Sequence, residues 1–132
     1  MDMKLELVPI PVSDVDRAKA FYVDKVGFNL DLDVNPGNGM RVVQLTPPGS
    51  ACSIVIGTGM PEIAKMQPGS VKAIHLVVGD VRKAREMLAG RGVAVSEVDE
   101  HDQGIKYVSF SDPDGNSWLF QEMPWRSSEF NT

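Results

Sequence analysis

Val12-Ser13-Asp14-Val15 and Val78-Gly79-Asp80-Val81 decide how this chain is built, because the second passage repeats the first 66 residues later. Ala18 then falls on Ala84, Val42 on Val108, and Pro47-Pro48-Gly49 on Pro113-Asp114-Gly115. The offset is the same at the start and the end of each copy (80 − 14 and 115 − 49 are both 66), and 66 is half of the 132 residues. Similar residues match where identities do not: Val8 and Ile10 face Ile74 and Leu76, and Ile54 faces Phe120. Self-similarity at a fixed period predicts one structural unit used twice.

Each copy reads as a strand, a helix and three strands. Over 5–12, Val8, Ile10 and Val12 share one face and Leu7, Pro9 and Pro11 the other, the period of a strand. Ser13-Asp14 offers side-chain oxygens to the free amides of a helix start. Val15, Ala18, Phe21 and Tyr22 recur at helical spacing, and Gly27 tolerates the left-handed backbone that ends helices. Strands are expected over 28–34, 40–46 and 52–57, with turns at 35–39 and 47–49. The second copy gives a strand over 72–78, a helix over 80–91, and strands over 93–98, 105–111 and 117–122. The organisation is therefore a single α+β domain, 1–132: a first βαβββ module over 1–57, a linker over 58–70, a second module over 71–124 and a polar tail over 125–132. Each helix buries its apolar stripe on the Val/Ile face of its strand, so the opposite face, carrying Ala73, His75 and Val77 in copy two, is left to line a cavity.

Composition narrows the function classes. The formal net charge is −5 and the sequence pI about 4.9, with no Lys/Arg cluster, which argues against a nucleic-acid partner. Pro9, Pro11 and Glu6 interrupt the early apolar stretch, so neither a signal peptide nor a membrane span is expected. One cysteine, Cys52, allows no intramolecular disulfide and fits a reducing, cytoplasmic setting.

The pattern Val-x-Asp-Val-x-x-Ala-x-x-Phe-Tyr followed by Gly-Phe, over 12–28, and the closing turn Asp112-Pro113-Asp114-Gly115-Asn116 resemble the vicinal oxygen chelate superfamily of glyoxalase, bleomycin-resistance and extradiol dioxygenase-like proteins. The resemblance covers almost the whole chain. It implies paired βαβββ modules curling into a half-open mixed-sheet barrel, commonly as a homodimer, with a small-molecule ligand in the cup. Fold alone does not settle chemistry, because that superfamily holds enzymes and pure binders. Its enzymes commonly hold a divalent metal through a His or Gln seven residues before the helix-capping Asp and a Glu four residues after the turn Gly. Those positions here are Leu7 and Ala73, and Ser53 and Leu119. A divalent cation needs about three or more N, O or S donors, so no metal and no cofactor is expected.

His75 has cavity parity and is the candidate ligand contact or general acid/base. Ser53, Gln121, Gln44, Arg41 and Tyr107 are candidate polar contacts and Leu7 and Leu119 apolar ones, with Pro9, Ala73 and Val77 completing the lining. Tyr107 is taken as the second-copy match of Arg41. His101 is read as part of a solvated acidic loop with Glu97, Asp99, Glu100 and Asp102. Cys52, Trp118 and Phe120 are read as core-facing, and Met60 and Met66 as packed linker residues. The leading expectation is a binder of a small, partly apolar organic molecule, working without the divalent metal. The alternative is a metal-independent or metal-relocated lyase, isomerase or dioxygenase-type enzyme using His75, with Gln121 as a relocated donor.

Overall fold

The computed structural model describes residues 1–130, so Asn131 and Thr132 of the expected tail lie outside the described residues. Both helix starts form as the cap residues dictate. Asp14 is extended and its carboxylate accepts from Arg17 N at 3.0 Å, while Asp80 accepts from Arg82 N and Lys83 N at 2.9 and 3.2 Å. Helix α1, Val15–Ala20, continues as a π-helical segment, Phe21–Val26. Gly27, at φ 93°, ends it, and the Gly27 and Phe28 amides both donate to Tyr22 O at 2.9 and 2.8 Å. Helix α2 runs Val81–Gly90. Among the described residues no helix is long and apolar enough to cross a membrane.

Among the described residues, eight strands form two four-stranded sheets: β1 Leu7–Pro9, β2 Asn29–Gly37, β3 Met40–Thr46 and β4 Ser53–Thr58, then β5 Ile74–Val77, β6 Asp99–Glu100, β7 Lys106–Ser111 and β8 Ser117–Glu122. The first sheet has the order β1-β4-β3-β2 and the second β5-β8-β7-β6, with one parallel pairing in each (β1 with β4, β5 with β8) and antiparallel pairing elsewhere. Two compact units contain these sheets. One comprises 1–71 together with the turn 112–116, the other 72–111 and 117–130 of the described chain.

In the first unit, Ile10, Val15, Ala18, Tyr22, Val26 and Phe28 are buried with Val43, Leu45, Ile54 and Ile56, and α1 packs on β4. The 112–116 turn belongs to this core. Fully buried Tyr22 donates its hydroxyl to Asp112 Oδ2 at 2.7 Å, and the Asn116 amide donates to Asp112 Oδ2 and Pro11 O, both at 2.8 Å. In the second unit, α2 packs on β7 and β8, burying Val81 and Leu88 with Val108, Phe110, Trp118 and Phe120. The expected core positions of Trp118 and Phe120 are thus met.

The expected elements need three corrections. The first strand is three residues long rather than eight, and 1–6 is exposed and lies outside it, although Glu6 O still accepts from Ser53 N at 2.9 Å. Strand β2 runs on to Gly37, so the turn expected over 35–39 narrows to Asn38-Gly39. No strand forms over 93–98. There Ser96 N donates to Ser109 O at 3.0 Å, but Ser109 N donates back to Ser96 Oγ at 2.8 Å because Arg85 Nε takes the Ser96 carbonyl at 2.7 Å, and the strand ladder with β7 is confined to Asp99–Glu100.

The uniform 66-residue offset also fails. Val8 pairs with Ile54 while Ile74, 66 residues on, pairs with Trp118, only 64 on from Ile54. The loop between β3 and β4 holds 47–52 and that between β7 and β8 holds 112–116, one residue shorter. The register therefore makes Val55, not Ser53, the counterpart of Leu119. Tyr107, opposite Gln121, corresponds to Val42, opposite Gly57, rather than to Arg41.

Candidate functional site

Alternation along β5, β7 and β8 divides the second sheet. Ile74, Leu76, Val108, Phe110, Trp118 and Phe120 lie on the helix-packed face. The opposite face carries two cross-strand rows, Val77–Gln121–Tyr107–Asp99 and His75–Leu119–Ser109. The structure thereby brings together four residues singled out in the sequence: His75, Tyr107, Gln121 and Leu119. His75 and Tyr107 meet edge to face, ring centroids 5.9 Å apart at 86°. The Gln121 amide donates to the Tyr107 hydroxyl at 3.2 Å. His75 Nδ1 lies 2.8 Å from Ala73 O, and Ala73 itself has a left-handed backbone, φ 61°.

Two residues of this cluster are not among those singled out in the sequence. His101, expected in a solvated loop, is exposed but also meets Tyr107 edge to face at 5.3 Å and 83°, and its Nε2 lies 2.9 Å from Asp99 Oδ2. Ser109 stands two residues after Tyr107 on the same strand, a parity signal that was available in the sequence. Tyr107 borders two open clefts: one of about 420 Å³ with Ser109, Leu119 and Asp99 on its wall, the other of about 570 Å³ beside His101. Both volumes fall in the range of small-molecule sites. The rim is acidic but largely paired, Glu97 with Arg85 at 3.4 Å and Glu100 with Arg82 at 2.7 Å.

The first sheet's other face is less open, since Ser53 and Val55 on it are buried. Its rows are Pro9–Val55–Gln44–Leu32 and Leu7–Ser53, so Leu7, Ser53 and Gln44 share it. A hydrogen-bonded chain crosses it. Gln44 Nε2 reaches Ser53 Oγ at 3.4 Å, Ser53 Oγ lies 2.6 Å from Thr46 Oγ1, and Thr46 donates to Asp31. Arg41 is not part of it. It lies on the helix-packed face, bidentate to Asp33 at 3.0 and 2.9 Å and bonded to Asp16 at 2.8 Å, with Lys19 also on Asp33 at 2.8 Å. The hydrogen bonds from Arg41, then those from Lys19, hold the Asp33 carboxyl well below the usual carboxylate range, and Asp33 raises Arg41 in turn. Arg41 borders a third cleft, of about 530 Å³, with Asp14, Asp16 and Thr58. Cys52 is half-buried, its Sγ 3.7 Å from Ser53 O, and Met60 and Met66 are half-buried.

The metal scheme implied by the resemblance finds no donors at its own places. By register these are Leu7, Ala73, Val55 and Leu119, all hydrocarbon side chains. Among the described residues no group of three or more His, Cys, Asp or Glu could hold a metal ion. Gln121 directs its amide to Tyr107 and His75 directs Nδ1 to a backbone carbonyl, so those two do not converge as a ready-made ligand pair.

Residues 4–120 match the model of the Glyoxalase/Bleomycin resistance protein/Dioxygenase superfamily. The chain is 35% identical to TnmS3, an antibiotic binding protein from Streptomyces sp. CB03234. That structure superposes with a TM-score of 0.81, covering 92% of this chain and 97% of the other. A glyoxalase/bleomycin resistance protein from the same organism is 38% identical, with a TM-score of 0.75 over 89% and 98% of the two chains. The uncharacterized protein YetH of Bacillus subtilis (strain 168) is 28% identical over 92% of this chain and 100% of its own.

Proposed function

Because the chain belongs to the glyoxalase/bleomycin resistance protein/dioxygenase superfamily, we propose that it binds a small, partly apolar organic molecule on its free sheet faces without the family's divalent metal. One observation carries the reading: hydrocarbon side chains stand where that metal's ligands would be, while His75, Tyr107, Gln121 and Leu119 gather on one open face. Carbon at those four places cannot coordinate a cation, but it offers contact area to an apolar ligand. The polar groups beside it are few and fixed by neighbours, the usual makeup of a small-molecule site. The likeness to TnmS3, an antibiotic binding protein, supports the same class of partner. On the first sheet, Leu7 and Gln44 form a second contact surface; Ser53, buried with its hydroxyl bonded to Thr46, and Arg41, bound to two carboxylates, are the weakest of the candidate contacts.

A second reading, an enzyme using His75 as acid or base, draws support from the exposed ring, whose Nε2 has no partner among the described residues. One experiment separates the two. A thermal-shift screen of organic compounds identifies a stabilising ligand, which is then incubated with wild type and with His75→Ala. Ligand recovered chemically unchanged from wild type, with binding weakened in the variant, supports a binder. Conversion by wild type that His75→Ala abolishes overturns it in favour of the enzyme.

A further inference from the structure

Three rings converge on the free face of the second sheet, and the hydrogen bonds around them leave specific valences open. Among the described residues, His75 Nδ1 has Ala73 O as its hydrogen-bond partner, 2.8 Å away. A carbonyl oxygen only accepts, so Nδ1 carries the proton and, in the neutral ring, Nε2 carries a lone pair. The left-handed Ala73, φ 61°, sets the direction of that carbonyl, and its own N–H is held by Ser117 Oγ at 2.8 Å. Tyr107 complements this arrangement, because its hydroxyl oxygen already accepts from Gln121 at 3.2 Å.

His75 and His101 both stand edge to face with Tyr107, so an entering molecule meets aromatic surface beside that bare nitrogen. Asp99 stands on the Tyr107 row and the rim arginines Arg82 and Arg85 are already taken by Glu100 and Glu97, which disfavours an anionic ligand.

Resting on the binding reading above, we propose that His75 Nε2 is a hydrogen-bond acceptor that selects a neutral hydroxyl on an aromatic ligand. The site then prefers a phenol-type compound to its O-methyl ether. An ether cannot donate, and it leaves the imidazole lone pair desolvated and unpaired.

Two measurements test this. Imidazole nitrogen NMR on ligand-free protein at pH 7.5, with the His75 signals assigned by their loss in His75→Phe, reads the tautomer directly. The proposal expects a proton on Nδ1 and none on Nε2, and the opposite tautomer or a doubly protonated ring overturns it whatever the protein binds. Binding of 2-naphthol and of 2-methoxynaphthalene, followed by NMR titration, then reads the selectivity. Wild type is expected to bind the naphthol about tenfold more tightly, and His75→Phe to bring the two within about twofold. Equal affinities in wild type overturn the hydroxyl selectivity and leave the binding reading standing. Binding of neither probe overturns the aromatic ligand class, while a hit of another class from the thermal-shift screen still upholds the binding reading.

Discussion

Tyr22 places a hydroxyl at zero exposure, and the group it meets there, the Asp112 carboxylate, is itself only 5% exposed. Buried polar atoms of this kind are tolerable only when bonded, and Asp112 also accepts from the Asn116 and Asp114 amides and the Asn116 side chain. Tyr22→Phe removes one of these donors without leaving a large cavity. It is expected to lower stability by about 1–3 kcal/mol, read as a lower urea midpoint at unchanged slope; an unchanged midpoint contradicts the account. Ala73 supplies a second test at this scale. Glycine adopts its left-handed backbone without a Cβ penalty whereas a β-branched residue cannot, so Ala73→Gly is expected to melt no lower than wild type and Ala73→Val clearly lower. Equal melting temperatures for the two variants would count against strain at this position. Single residues were legible where parity alone decides. His75, Tyr107, Gln121 and Leu119 share a face as strand alternation requires. His101 was not legible, because a loop residue has no period and its contact with Tyr107 exists only after folding.

Arg41, Asp33, Lys19 and Asp16 tie β3, β2 and α1 together, and the cluster has a defined pH signature. The folded Asp33 carboxyl titrates well below its ordinary value, held there by Arg41 first and Lys19 second. Its contribution is therefore complete above an unfolded carboxylate's pKa of about 3.9 and is lost as pH falls below that value. The stability gap between wild type and Asp33→Asn should hold constant from pH 7 to pH 5 and narrow below about pH 4. A gap that opens or closes around neutrality would contradict this cluster. The same elements mark where sequence reading stopped. Both helix caps and strand β8 were readable from Asp14, Asp80 and the Ser117–Glu122 alternation. The shorter loop between β7 and β8 was not: the matching Pro and Gly in each turn hid the change of register, so Ser53 was taken for the position Val55 holds. Likewise nothing in 93–98 announces that Ser96 keeps one backbone bond to Ser109 and meets the other with its side chain.

At the scale of the whole molecule, two sheets of the same strand order leave apolar side chains uncovered. Leu30, Leu32 and Val34 lie along β2, an edge strand of the first sheet, and are 38–46% exposed, an apolar edge of the kind a second chain can cover. We propose that a second copy covers part of it. Sedimentation equilibrium should return twice the 14.4 kDa chain mass, and a single-chain mass at micromolar concentration would exclude the homodimer. The repeat and the closing turn made the family readable from sequence, since both depend on spacing. The ligand was not readable, because it depends on which side chains remain free once neighbours have taken their hydrogen bonds. The most direct test of metal-independent binding is a calorimetric titration of the thermal-shift ligand into protein dialysed against EDTA. The account predicts full binding that added zinc, manganese, nickel or iron leaves unchanged; binding that appears only when a divalent ion is restored would contradict it.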